Sequence, residues 1–326
     1  MSAVRIVSTG KALPSQCLSA EQLDRASGAR PGTSLKQSGV QMRHFAGPGE
    51  SQSALGAAAL KSALQAASLQ PGSIDLLISA CAVAEQALPS TACLIAQAAG
   101  LAAGTPAFDV NASCLSFLSG MEVAAALLAT GRYRRIALVS SDLASRGIDW
   151  AEPEASLIFG DGAAAVILES GTAQQRIRAF KLATYPEGRK YCEIRGGGTA
   201  RNPRVGVTPQ DYLFHMDGKA VFKLASRVLP DFLRELLATA HTDLAGIDLV
   251  VPHQASHLGL LHAAKLLKMP ASKIVNIYAT HGNQVAASIP TALHEAISTG
   301  RARTGQRLLL MGTAAGLSVG GMVLDL

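Results

Sequence analysis

The stretch Gly72-Ser73-Ile74-Asp75-Leu76-Leu77-Ile78 recurs as Ala245-Gly246-Ile247-Asp248-Leu249-Val250-Val251, an offset of 173 residues from Asp75 to Asp248. Each copy runs from a small turn into a near-continuous apolar run, the pattern of a strand buried on both faces. A second match lies further along. Thr130-Gly131-Arg132 before the apolar run 136–140 recurs as Thr299-Gly300-Arg301 before the run 308–311, an offset of 169 residues from Thr130 to Thr299. A helical pattern precedes the matched segment in both cases. Two offsets near half of a 326-residue chain predict two similar α/β halves, residues 1–170 and 171–326. Their join falls near 168–175, where Glu169-Ser170-Gly171 ends a strand.

The surrounding sequence alternates in the same way, helical patterns with short apolar runs. Residues 54–69 predict an Ala-rich helix closed by Pro71-Gly72, and 74–80 a strand. A helix over 90–99, a strand over 106–110, a helix over 115–129 and a strand over 135–140 follow. The N-terminal MSAVRIVSTG reads directly as a strand, without the apolar region of a signal peptide. The best candidate membrane span, 308–324, contains Thr313, Ser318 and four glycines and reads better as two strands with a turn.

Composition narrows the function classes. At 48% hydrophobic and 16% charged residues the chain is not disordered, and its length suits about two domains. Aromatics are only 4%, so the apolar mass is Ala, Leu, Val and Ile. Five cysteines without a CxxC pair argue against a disulfide framework and against a zinc or other metal site, and point to a reducing, cytoplasmic setting. The net charge of +6 fits an anionic partner, either a phosphate-bearing cofactor or an acidic carrier protein. The bases are not interleaved with aromatics, so nucleic acid is the weak reading. The Gly- and Arg-rich segment 187–206 lacks the Lys-Ser/Thr ending of a P-loop and reads as a surface loop.

Cys114 follows the strand at 106–110 and opens a helix, where the positive end of the backbone dipole favours a thiolate. Cys81 and Cys93 read as core residues, Cys17 and Cys192 as loop residues. His253 ends the second copy of the repeated strand, a position favoured for active sites in α/β proteins. Asn283 stands in His281-Gly282-Asn283, just before a helix at 286–298. His257, His262 and His294 fall on helices and read as surface residues. A Cys, a His and an Asn serve a thiol hydrolase, in which His is the base and Asn orients it. They serve equally a decarboxylating condensing enzyme, in which Cys carries an acyl group. Spacing alone does not decide between the two.

Six segments do. They are Leu88-Pro89-Ser90-Thr91-Ala92, Ala107-Phe108-Asp109-Val110 leading to Cys114, Phe159-Gly160-Asp161-Gly162-Ala163, and Gly218-Lys219-Ala220-Val221-Phe222-Lys223. Val251-Pro252-His253-Gln254-Ala255 follows, then His281-Gly282-Asn283 with Ala286-Ala287-Ser288-Ile289-Pro290. In this order they resemble, from end to end, the ketoacyl-acyl carrier protein synthase III family, the initiating condensing enzymes of fatty acid and some polyketide pathways. The resemblance implies the thiolase fold, a five-layered αβαβα sandwich of two pseudo-repeated halves, formed as a homodimer.

It also implies a ping-pong acyltransferase. Cys114 takes an acyl group from coenzyme A or an acyl carrier protein, and a malonyl thioester then loses CO2 and condenses with it. His253 and Asn283 hold the thioester oxygen, and the backbone N–H groups of Cys114 and Ala315 form the oxyanion hole. Leu88 and Thr313 fall at acyl-pocket positions, Leu88 at one that reaches into the partner subunit. Lys223, Ser256, Lys265 and Lys268 are the candidates for carrier or coenzyme A binding. No permanently bound cofactor is implied; the thioester is substrate. The family's aromatic followed by three glycines reads here Thr313-Ala314-Ala315-Gly316, and its adenine clamp aligns with Thr33, Gln37 and the neighbourhood of Pro153. A carrier-docking Arg aligns with Leu258. These departures point to a specialised relative whose donor is delivered by a carrier protein or held at a weaker coenzyme A site. The small Leu88, where the family commonly has Phe, points to an acyl group longer than acetyl. Transfer to a hydroxyl or amine without decarboxylation is the second reading, and an impaired partner subunit the third.

Overall fold

The structure, a computed structural model, describes residues 2–326. The strands of the first half are β1 (Ser2–Ala3), β2 (Arg5–Ala12), β3 (Gln16–Ser19), β4 (Met42–Phe45), β5 (Leu76–Ser79), β6 (Ala107–Asp109), β7 (Arg135–Asp142) and β8 (Gly162–Glu169). Those of the second are β9 (Arg176–Thr184), β10 (Cys192–Glu193), β11 (His215–Met216), β12 (Leu249–Pro252), β13 (Arg307–Ala314) and β14 (Ser318–Asp325). The helices are α1 (Ala20–Ser27), α2 (Thr33–Ser38), α3 (Gln52–Ala66), α4 (Thr91–Ala99) and α5 (Ser116–Ala129). They continue with α6 (Pro153–Ser156), α7 (Gly218–Thr239), α8 (His257–Leu267), α9 (Tyr278–His281) and α10 (Ser288–Ser298).

Two five-stranded sheets carry the fold, in the orders β2-β8-β7-β5-β6 and β1-β9-β14-β13-β12. The repeated stretch becomes β5 in one and β12 in the other, each parallel to its inner neighbour, β7 or β13. A shared clamp locks the two copies. Asp75 and Asp248 each donate N–H to the carbonyl of Arg135 or Arg307 at 2.9 Å. Their carboxylates accept the N–H of those same arginines at 2.8 Å. Each arginine then reaches an acid at the end of the adjacent antiparallel strand, Arg135 to Glu169 and Arg307 to Asp325, both 2.8 Å from Nε.

The two-residue alternation of strand side chains sorts the apolar runs into layers. Leu76, Ile78, Ile136 and Leu138 of one sheet, with Leu249, Val251, Leu308 and Leu310 of the other, enclose α5 and α10 in one central core. Leu77, Ala137 and Val139 face the opposite way, onto α3 and α4. Val250, Leu309 and Val323 face α7. The result is a five-layered αβαβα sandwich, the thiolase architecture. β1 leaves the first half to pair with β9, so the N-terminus lengthens the other sheet.

Several caps explain where helices begin. Ser51 starts α3 ahead of the predicted 54 by accepting the N–H of Ala54 at 3.1 Å. The Asp109 carboxylate caps α4 by accepting from Thr91 and Ala92 at 2.9 and 2.8 Å, an anion at the positive helix end. Cys93 lies on α4 but faces solvent, because helical phase turns it off the apolar stripe; it is not a core cysteine. Within 187–206, Cys192 and Glu193 pair with β11, so that segment is not loop throughout. Cys17 likewise sits on a strand, β3. Among the described residues, no helix is long and apolar enough to cross a membrane.

Candidate active site

Cys114, His253 and Asn283 line one cavity of about 2060 Å³ between the two halves. Ordinary small-molecule sites hold about 300–1,000 Å³, so there is room for a thioester arm and an acyl chain together. His253 and Cys114 reach it from segments that follow the C-terminal ends of β12 and β6, and Asn283 from the segment after α9. His253 directly follows β12, where its N–H donates to the Met311 carbonyl at 2.8 Å. Gly312 lies against it, and a Cβ there would sit 2.6 Å from the His253 Cβ.

Cys114 and Asn283 arrive on two copies of one turn. In Asn111-Ala112-Ser113-Cys114-Leu115-Ser116, Asn111 Oδ1 accepts the N–H of Ser113 and Ser116 Oγ accepts that of Ala112, both at 2.9 Å. In Asn283-Gln284-Val285-Ala286-Ala287-Ser288, Asn283 Oδ1 accepts from Val285 and Ser288 Oγ from Gln284, again at 2.9 Å. Asn111 Nδ2 donates to the Ala82 carbonyl at 2.9 Å, and Asn283 Nδ2 to that of Ala255 at 3.2 Å. Ser113 and Val285 hold left-handed φ values of 53° and 52°. A β-branched residue rarely accepts that conformation, so the framework around Val285 imposes it.

The second turn is buried more deeply. Asn283 exchanges backbone hydrogen bonds with Ile158 and Gly160, at 2.8 and 3.1 Å. A Cβ on Gly160 would meet the His281 carbonyl at 2.2 Å, so the close approach of these segments requires glycine there. Asp161, in the same segment, accepts from Ser145 and Ala46 and serves structure.

Burial sets the electrostatics. It pushes the Cys114 thiol up to about 12, with nearby Cys192 and Asp142 acting the same way. The N–H groups of Ala315 and of Cys114 itself face the sulfur and pull the other way. The thiolate expected from the helix end is therefore outweighed by desolvation, and the resting group is a thiol. Burial also drives His253 down to about 4, so the imidazole is neutral near pH 7. Its Nδ1 is buried without a hydrogen-bond partner among the described residues. Asn283 spends one Nδ2 hydrogen on Ala255 and retains a second donor at the cavity wall.

Thr313, Ala315 and Ser256 also line the cavity. Leu88 does not: it stands 84% exposed on the surface of its own chain. Lys223, Lys265 and Lys268 are exposed and lie off the cavity wall. On α7 the wall includes Lys219, Phe222, Ser226 and Leu229, and Lys223 is turned about 100° from Phe222. The cations that do border the cavity are Lys36, Arg146, Arg189 and Lys219. His262 borders it too, edge-on to Phe222 with ring centroids 4.7 Å apart. His294 is half-buried against Thr9 at 2.9 Å; His257 is exposed. Sequence reading missed Cys192 and Asp142, both on the wall. An acid at the end of the strand that continues the apolar run Ile136-Ala137-Leu138-Val139 through Ser140-Ser141 was the available signal for Asp142.

Comparison with known proteins agrees with this geometry. Residues 108–186 match the family 3-Oxoacyl-[acyl-carrier-protein (ACP)] synthase III, and residues 237–326 match its C-terminal part. The first span contains Cys114, the second His253 and Asn283. The 3-oxoacyl-[acyl-carrier-protein] synthase III of Aquifex aeolicus VF5 is similar at 28% identity and a TM-score of 0.88, covering 99% of this chain and 100% of that one. The corresponding synthase of Pseudomonas aeruginosa PAO1 is 29% identical with a TM-score of 0.87, covering 99% and 98%. The priming β-ketosynthase of the R1128 polyketide pathway is 26% identical with a TM-score of 0.88, covering 99% and 96%. The chain belongs to the 3-oxoacyl-[acyl-carrier-protein] synthase III family of condensing enzymes.

Proposed function

We propose that the chain catalyses a decarboxylative Claisen condensation between an acyl group carried on Cys114 and a malonyl thioester. The observation that carries this reading is the convergence of Cys114, a neutral His253 and the spare amide hydrogen of Asn283 on one cavity. Cys114 Sγ attacks an acyl thioester, its proton leaves with the departing thiol, and the acyl group stays on sulfur. The malonyl thioester then loses CO2, and the electron pair of the broken C–C bond becomes an enolate. A neutral imidazole and an amide offer its oxygen hydrogen bonds, the kind of donor whose value rises as charge develops. The enolate carbon attacks the acyl carbonyl, whose oxyanion meets the N–H groups of Cys114 and Ala315. The C–S bond breaks, the β-ketoacyl thioester leaves, and the Cys114 thiolate takes up a proton from water in place of the one lost with the first thiol.

The thiol-hydrolase reading needs Asn283 to orient His253. Asn283 is instead committed to Ala255 and Val285, and His253 Nδ1 has no partner among the described residues. The donor in this reading is a carrier-borne acyl group longer than acetyl. Its support is the cavity volume and an entrance where exposed Phe222 and Leu258 stand beside Lys219 and Lys36. The homodimer belongs to the same proposal, supported by the edge position of β6, half-exposed Phe108 and fully projecting Leu88.

Intact-mass spectrometry with a panel of acyl-coenzyme A and acyl-carrier thioesters tests it. An adduct on the wild type, absent in Cys114→Ala and released as a β-ketoacyl product with CO2 when malonyl carrier is added, is the expected result. Transfer of the adduct to an alcohol or amine without CO2 would establish plain acyl transfer instead.

A further inference from the structure

Asp142 closes β7, is only 3% exposed and still lines the cavity. Its Oδ1 accepts the N–H of Ala82 at 2.9 Å and that of Val83 at 3.4 Å. The carbonyls of the same two peptide groups are taken by the nucleophile turn. Ala82 C=O accepts from Asn111 Nδ2 at 2.9 Å, and Cys81 C=O shares the single Ser116 hydroxyl hydrogen with the Ser113 carbonyl, at 3.1 and 2.7 Å. Two peptide groups therefore stand between one carboxylate and the two side chains that shape residues 111–116. A peptide drawn on at its N–H is the better acceptor at its C=O, so the chain is cooperative. Asp142 Oδ2 is buried without a hydrogen-bond partner among the described residues, although the N–H groups of Ala286 and Ala287, in the second copy of the turn, face the carboxyl.

We propose that Asp142 is a positioning residue for Cys114, holding the nucleophile turn through the peptides of 81–83 and governing by its charge how readily the thiol ionises. This rests on the reading of Cys114 as the nucleophile. The condensation itself needs no acid at this place, since His253 and Asn283 supply the donors.

The surroundings leave Asp142 as the group that changes charge near neutrality. Burial raises its carboxyl to about 7. From the other elements packed about it come Cys81 after β5, Cys114 before α5 and Cys192 on β10, all held by burial at about 12. His253, after β12, is held at about 4. The 285–287 turn presents backbone. Below its pKa Asp142 is neutral and leaves the thiol undisturbed; above it, the carboxylate opposes the thiolate.

Alkylation of Cys114 by iodoacetamide in the full-length protein, followed by peptide mass spectrometry across the neutral pH range, reads this directly. The wild-type rate bends downward near the carboxyl pKa, while Asp142→Asn rises without a bend. Above the bend Asp142→Asn reacts about tenfold faster for a coupling of about one pKa unit. Asp142→Ala, which loses the acceptor for Ala82 and Val83, is slower than Asp142→Asn at every pH. Coincident, unbent wild-type and Asn profiles overturn the charge role; Ala matching Asn overturns the positioning role. Should a variant fail to fold, a straight wild-type profile is by itself enough to overturn the charge role. Alkylation needs no thioester, so its outcome is separable from failure of the condensation reading.

Discussion

The turns at 111–116 and 283–288 share a hydrogen-bond framework and differ in what they deliver. Both use an Asn to hold the left-handed residue and a Ser to close the helix entry. In the first copy the fourth residue is Cys114, which faces the cavity, and Asn111 is exposed outside it. In the second the fourth residue is Ala286, fully buried, and it is Asn283 that reaches the cavity. The fold therefore contributes one device twice, and the chemistry comes from which residue of each copy meets the substrate. It follows that the Asn283 amide is a structural group before it is a functional one, and Asn111 measures the structural part alone.

Moving the thiol between copies has the largest expected effect. Cys114→Ala abolishes the acyl adduct, and adding Ala286→Cys does not restore it, because position 286 lies off the cavity wall. Intact-mass spectrometry decides; an adduct on the introduced thiol would show the copies interchangeable. Next in size is Asn283→Asp, which keeps an acceptor for the Val285 N–H but loses both amide hydrogens. Condensation falls by about 10²–10³, the usual cost of one preorganised donor, while acylation of Cys114 persists within a few fold. The matched Asn111→Asp weakens the hold on Ala82 and leaves more condensation activity than Asn283→Asp. Single-turnover CO2 release set against adduct formation separates the two.

Much of this was legible in the sequence, for a physical reason. Strands buried on both faces leave continuous apolar runs, and their repetition with Asp75 and Asp248 in register exposed the duplicated architecture. Cys114, His253 and Asn283 stood out because a reactive side chain at a strand end or helix entry interrupts such a pattern. The duplicated turn did not stand out, since its copies share only the first Asn and the last Ser, and their likeness is a frame of hydrogen bonds. The entrance was the least legible part. Lys223, Lys265 and Lys268 lie near the cavity in sequence, but helix phase turns them away, whereas Arg189 and Cys192 come from a Gly-rich segment without periodicity. Leu88 is exposed to solvent in the single chain.

Smaller effects are expected at the closing serines. Ser116→Ala and Ser288→Ala each strand a backbone N–H, which costs about 1–3 kcal/mol when buried. Ser116 is the more costly loss. Its hydroxyl also donates to the Ser113 carbonyl at 2.7 Å and lies 3.1 Å from that of Cys81, whereas Ser288 adds only a 3.4 Å contact with Asn283. Denaturant titration of the two variants checks the order, and a reversal would mean that the second copy carries more of the fold.

The smallest effect lies at the far end of the sheets, in the aspartates of the repeated stretch. Asp75 and Asp248 occupy the same place, but Asp75 accepts two backbone N–H groups, from Arg134 and Arg135, both at 2.8 Å. Asp248 accepts one from its arginine, that of Arg307. Asp75 is also the less exposed of the two, so water replaces its hydrogen bonds less well. A charge-assisted bond of this kind contributes about 1.5–3 kcal/mol when sheltered and less in solvent. Asp75→Ala therefore destabilises by about 2 kcal/mol and Asp248→Ala by about 1 kcal/mol or less. Both sites are remote from the cavity, so acylation of the folded variants is unchanged. Equal losses in equilibrium unfolding would mean that the clamp works through the Arg135 and Arg307 side chains, and that the extra N–H at Arg134 contributes nothing.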